Sequence, residues 1–138
     1  MTRRFVDTSA WYSAMDSADR NHRAATARLA EGGRFVLTDH VLVETWRLAA
    51  HRLGWHVAEQ FFGTIRRGAA HVEGVTPADR EHAWATGMAF SDQGWSLADR
   101  TSFAVMERLG LHTVVTFDDD FAIYRFGRDR GLAFTVQR

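Results

Sequence analysis

The chain has 138 residues, 17 basic and 17 acidic side chains, a formal net charge of zero, no cysteine and one proline. Every basic residue is arginine. Without cysteine there is no disulfide, thiolate zinc site, iron–sulfur cluster or cysteine nucleophile, and without lysine there is no Walker A phosphate lysine and no Schiff base. A hydrophobic fraction of 46% with 25% charged residues is ordinary for a globular chain, and a neutral balance leaves any polyanion to be met by a local arginine patch.

Short apolar runs alternate with helical patterns along the chain. Arg3–Val6 reads as a strand. Trp11–Met15 reads as one or two helical turns, and His22–Ala30 as an alanine-rich helix closed by Gly32-Gly33. Arg34–Leu37 is a second strand. Thr38 caps a helix running to about Leu53, whose apolar side is Val41, Leu42, Thr45, Trp46, Leu48 and Ala49. Gly54 interrupts, and a further helix spans Val57–Arg66. Ala70–Val75 reads as a strand. Thr76-Pro77-Ala78-Asp79 then has an N-cap, an N1 proline and an N3 acid in sequence, opening a helix to about Phe90. Ser96-Leu-Ala-Asp99 reads as a second capping box before a helix to Leu109, with Gly110 behind it. His112–Thr116 is a strand and Gly131–Val136 a last, edge strand. Helical crossovers between strands imply a mainly parallel sheet of about four to five strands, covered by helices on both faces. The pattern predicts one domain over residues 1–138. With no secretory h-region and no membrane-length apolar run, a cytoplasmic location is expected.

Four acids stand out against this frame. Asp7 directly follows the first strand, and Asp118 lies two residues beyond the strand ending at Thr116. Strand C-terminal ends share one rim of a parallel sheet, where open α/β folds place their ligands. Glu44 sits in a mostly apolar helix two turns beyond a strand end. Asp99 lies in the first turn of another. Carboxylates converging from separate segments repel unless a cation sits between them, and oxygen-only ligation suits Mg²⁺ or Mn²⁺ better than zinc. Each acid also has a plainer reading. Asp7 can accept amide hydrogens at the helix start near Thr8. Asp99 can complete the Ser96 box, Glu44 can pair with Arg47 or Arg52, and Asp118-Asp119-Asp120 can be an acidic helix start.

The seven histidines lack zinc spacing; among them His40, just before Glu44, is the one expected near the rim. The five tryptophans read first as core, with Trp11 and Trp95, which flank the acidic motifs, as the two candidates for lining a cleft. Arg3-Arg4, Arg66-Arg67 and Arg125-Arg128-Arg130 are either solvated faces or local phosphate contacts.

Four stretches together carry a family resemblance spanning essentially the whole chain: Phe5-Val-Asp7-Thr-Ser9-Ala-Trp11; Val43-Glu44-Thr45; Asp92-Gln-Gly-Trp95-Ser96-Leu-Ala-Asp99-Arg-Thr101-Ser102-Phe103; and Thr116-Phe117-Asp118-Asp-Asp-Phe121. The sequence resembles PIN-domain ribonucleases of the VapC toxin type, from type II toxin–antitoxin systems. The resemblance implies a three-layer α/β/α PIN-like domain and a magnesium-dependent endoribonuclease, with Mn²⁺ as an alternative ion. It implies an acidic quartet of Asp7, Glu44, Asp99 and Asp118, in which Asp7 and Asp99 are the principal magnesium pair. Ser9 and Thr116 are implied as supporting hydroxyls and Asp92 as a structural or site-edge acid. The Thr-x-Asp frame selects Asp118 over Asp119 and Asp120. Arg100 stands where many relatives have a small residue, a change that bears on substrate contacts. The implied partners are RNA, a small cognate antitoxin and a second copy of the chain, with no membrane. The alternative is a PIN-like RNA-binding or partner-binding domain without catalysis. A phosphoaspartyl phosphatase built on Asp7 is disfavoured, because Ser9 stands where that chemistry needs a second aspartate and no lysine exists to support it.

Overall fold

In a computed structural model, residues 2–138 are described. Their elements are β1 (Arg3–Val6), α1 (Thr8–Met15), α2 (His22–Ala30), β2 (Arg34–Thr38), α3 (Asp39–Leu53), α4 (Trp55–Thr64), β3 (His71–Glu73), α5 (Pro77–Ala89), α6 (Leu97–Leu109), β4 (Thr113–Val115), α7 (Asp120–Ile123) and β5 (Thr135–Gln137). The five strands form one sheet in the order β3-β2-β1-β4-β5, and every pairing is parallel. Right-handed crossovers put α1–α4 on one face and α5–α7 on the other, so the expected three-layer architecture is present.

Local chemistry explains the boundaries. The Thr38 hydroxyl accepts from the Val41 amide at the start of α3 (3.0 Å). At α5 the capping box closes in both directions, Asp79 N to Thr76 Oγ1 (3.1 Å) and Thr76 N to Asp79 Oδ2 (2.9 Å), with Pro77 in the first turn. Gly110 ends α6 with a left-handed φ of 64°. The core lies between sheet and helices around Phe5, Val36, Leu37, Val114, Val115, Phe103 and Phe121. Phe103 stacks on Tyr124 with ring centres 4.3 Å apart.

Several expectations shift. The third and last strands are shorter than the apolar runs suggested. A π-helical turn at Ile65–Ala69, released by Gly68 at φ 97°, occupies the approach to β3. A bridge between Phe126 and Leu132 pinches the chain before β5. At Ser96 only half of the second capping box forms. The Ser96 hydroxyl accepts from the Asp99 amide (3.1 Å), but no return bond from the Asp99 carboxylate is made. That carboxylate is committed elsewhere.

Trp11 and Trp95 are each only 7% exposed and serve mainly as packing, although one edge of Trp95 also lines a small pocket between α5 and α6. Trp11 rests on Phe35 and Phe61, and Trp95 on Phe90, Phe103 and Tyr124. Arg3-Arg4 is not a free basic patch either. Arg4 is buried and donates to Gln137 Oε1, Arg28 O and Gly32 O, while Arg3 donates to Leu109 O. Both stand at the N-terminal end of β1, the opposite end of the sheet from Asp7. Arg100 donates to the carbonyls of Trp95 (3.2 Å) and Ala83 (2.9 Å), tying the start of α6 to α5. Its guanidinium is thereby used within the fold.

Candidate metal centre

β1 and β4 are neighbours, and the chain leaves them in opposite directions across the sheet: toward β2 from one, toward β5 from the other. Such a switch point opens a crevice at the strand C-termini. Asp7 is the first residue past β1 and Asp118 lies three past β4, so both arrive at this crevice. Asp7 still belongs to the ladder, its amide donating to Val115 O (3.1 Å). The first turn of α6 carries Asp99 into the same space. Asp7, Asp99 and Asp118 each offer a carboxylate oxygen, and these oxygens lie within 4.8 Å of one another.

A web of hydroxyls fixes this arrangement. Thr116 Oγ1 donates to Asp7 Oδ2 (3.0 Å) and accepts from the Asp118 amide (3.0 Å). Ser9 Oγ lies 3.1 Å from Thr116 Oγ1 and 3.3 Å from Asp7 Oδ2, and accepts from the Phe117 amide (2.9 Å). Ser9 and Thr116 thus orient one carboxylate and pin the β4–α7 loop that delivers another. Asp118 Oδ1 in turn accepts from the Asp120 amide (3.0 Å), which shapes the start of α7. Its acidic-turn reading and its place in the cluster therefore hold together.

The electrostatics of the cluster are unfavourable without a cation. Among the described residues, no arginine or histidine pairs with Asp7, Asp99 or Asp118. Burial raises the Asp7 carboxyl to about 6 against the pull of the Thr116 hydroxyl, and the charges of Asp118 and Glu44 push the same way. Asp99 is raised further, to about 9, by burial, by the neighbouring Asp120 carboxyl and by the charges of Asp7 and Asp118. Burial also raises Asp118. Three carboxyls whose ionised forms are disfavoured by burial and by one another, offering only oxygen donors, fit a hard divalent cation.

The remaining predicted residues are placed differently. Glu44 is half-buried and outside the group of three. It makes no ion pair with Arg47 or Arg52 among the described residues; its Oε1 accepts from Thr8 Oγ1 at 2.6 Å. Thr45 Oγ1 donates to the same Thr8 hydroxyl (3.2 Å). Thr8 is the residue that sequence reasoning missed. It sits between two acids that drew the attention, and only the docking of α3 on α1 gives its hydroxyl a role. Asp92 is exposed in the turn after α5, beside Gln93 Nε2 (3.4 Å) and apart from the cluster. Asp119 is exposed and pairs with Arg138 (2.7 Å). His40, expected near the rim, lies on the first turn of α3 with Nδ1 3.1 Å from Thr101 Oγ1.

A sheet of this order with acids at its switch point defines a class. The model of the PIN domain matches residues 4–127, and the chain belongs to that family. It is 35% identical over 123 residues to the 23S rRNA-specific endonuclease VapC20 of Mycobacterium tuberculosis, covering 88% of this chain and 94% of that protein. The crystal structure of VapC20, described as a sarcin–ricin loop cleaving toxin, superposes with a TM-score of 0.80 at 34% identity, over 86% of this chain and 92% of that one. VapBC2 from Rickettsia felis, bound to a DNA fragment from its promoter, shares the fold at a TM-score of 0.67 and 10% identity, over 99% and 98% of the two chains.

Proposed function

We propose that this protein is a magnesium-dependent endoribonuclease and the toxin of a toxin–antitoxin pair, with residues 1–138 working as one nuclease domain in the cytoplasm. The observation that carries the reading is the cluster of Asp7, Asp99 and Asp118, buried or half-buried and without a cationic partner among the described residues, on the fold and sequence background of an rRNA endonuclease. Asp7, Asp99 and Asp118 are the residues that would hold the ion, with Mg²⁺ favoured and Mn²⁺ accepted. When bound, such an ion supplies Lewis-acid stabilisation of the phosphate and a lowered pKa for water. Ser9 and Thr116 keep Asp7 in its ligating pose. Glu44, held by Thr8 beside Asp7, is placed to orient or deprotonate the attacking water rather than to ligate directly. Asp92 has no part in this scheme beyond the turn that precedes α6.

The toxin–antitoxin complexes among the structural neighbours support a small antitoxin as the partner and a toxin–antitoxin assembly as a working form, with a homodimer as the other assembly proposed. The test is cleavage of total RNA by the purified protein in Mg²⁺, in Mn²⁺ and in chelator, beside Asp99→Asn. Metal-dependent cleavage lost in the variant supports the reading. RNA binding indifferent to chelator, with no cleavage in either ion, refutes it and leaves a PIN-like binding domain.

A further inference from the structure

A groove of about 850 Å³ runs beside the acid cluster, walled by α3 on one side and by Leu97 and Ala98 of α6 on the other. Its lining includes Glu44, whose partner Thr8 follows Asp7, and Ala98, the neighbour of Asp99, so the groove borders the cluster although none of the three cluster acids lines it. Along α3 its lining includes His40, Glu44, Arg47 and His51. Steps of four, seven and eleven residues keep these four on one helix face. Their order divides the groove by charge. Asp39 and Glu44 lie toward its N-terminal, cluster end. Arg47 and His51, one turn apart and roughly 6 Å along the axis, occupy the other end with no acid from α3 between or beyond them.

These groups are also unspent. Arg47 and His51 are exposed, and neither has a hydrogen-bond or ion-pair partner among the described residues. His40 Nδ1 lies 3.1 Å from the Thr101 hydroxyl, which ties the start of α3 to α6. Val43 and Leu97 are 57% and 51% exposed and give the groove apolar walls on which a base can lie.

We infer that this groove is the track of a single RNA strand, with Arg47 and His51 on its phosphates and the scissile bond at the cluster end. The inference rests on the endoribonuclease reading above and adds the side from which the strand enters. A phosphate contact contributes affinity that falls with salt and carries little sequence information. Removing one should therefore raise KM, leave kcat and metal affinity alone, and flatten the salt dependence.

The test is cleavage of a mixed-sequence single-stranded oligoribonucleotide by wild type, Arg47→Ala, Arg47→Glu and His51→Ala, with KM measured over a range of NaCl. The expected result is a KM about 5–20-fold higher for Arg47→Ala and higher again for Arg47→Glu, with kcat within about twofold of wild type and a log–log salt slope shallower by about 0.7. Mg²⁺-induced thermal stabilisation, read in the same variants, should be unchanged. Unchanged KM and salt slope in a wild-type background that cleaves RNA would overturn the groove alone. So would variants that cleave normally but no longer retain a co-expressed protein partner, which would make the groove a protein-docking surface. A wild type that cleaves no RNA in Mg²⁺ or Mn²⁺ overturns both readings.

Discussion

Asp7→Asn should make the metal-free protein more stable, although it removes a residue at the centre of the site. The Asp7 carboxyl is 3% exposed and raised from 3.8 to about 6. The folded state therefore binds its proton more tightly than the unfolded chain does. Its contribution to stability is full below pH ~4 and is lost as pH rises through about 6. Near pH 8 the ionised carboxylate costs about 3 kcal/mol relative to the unfolded chain, at 1.36 kcal/mol per unit. Asparagine carries no charge, its amide oxygen can still accept from Thr116, and its NH₂ faces the remaining carboxyls. Part of the gain is offset by imperfect packing, leaving about 2 kcal/mol, or roughly 6–8 °C in Tm for a domain of this size. The assay is thermal unfolding by circular dichroism in EDTA, near pH 8 and near pH 4.5. At the lower pH wild-type Asp7 is itself neutral and the difference should vanish. In Mg²⁺ at about 100 times its Kd, the wild type should gain about 2.7 kcal/mol and the variant little. A variant no more stable than wild type in EDTA at the higher pH, or a difference indifferent to pH, would refute the claim that burying the Asp7 carboxylate without a counter-charge destabilises the fold.

Other expectations follow from the same geometry. Thr8→Val removes the hydroxyl that holds Glu44 and should lower kcat about 10-fold or more with little change in Mg²⁺ affinity, while Thr8→Ser restores most of the rate; equal rates in both variants would dismiss the positioning role. Mg²⁺ binding requires the proton to leave Asp7 and Asp99, so its affinity, followed by calorimetry in two buffers, should rise with pH through about 6 and beyond, with proton release on binding. Thr76→Ala opens the α5 capping box and should cost about 1 kcal/mol in urea unfolding without changing metal affinity.

Much of this protein is written locally. Thr38, Thr76 and Ser96 announce helix starts because a side-chain oxygen bonds an amide three residues on, a matter of one turn of chain. Gly110 announces a helix end for the same short-range reason, and strand–helix alternation implied the parallel sheet. Asp7 and Asp118 were legible as a pair because strand ends of a parallel sheet must share a rim, whereas Glu44 and Asp99, on helices, join them in sequence through the family motifs. Tertiary structure decided which of several open roles each polar group fills. Asp99 fits the capping box by spacing, yet burial beside Asp7 and Asp118 draws its carboxyl away from Ser96. Glu44 shares the rim but is held back by Thr8, 36 residues distant. Arg4 and Arg100 count as charge in a composition and serve as clamps on carbonyls in the fold. The bond from Thr116 to Asp7 spans 109 residues and exists only because β4 pairs with β1. Sequence determined the elements, their caps and the candidate acids, whose causes act within a few residues. Which hydroxyl meets which carboxylate, and which cations stay free to meet a substrate, depends on strand adjacency and helix docking, which no short window of sequence contains.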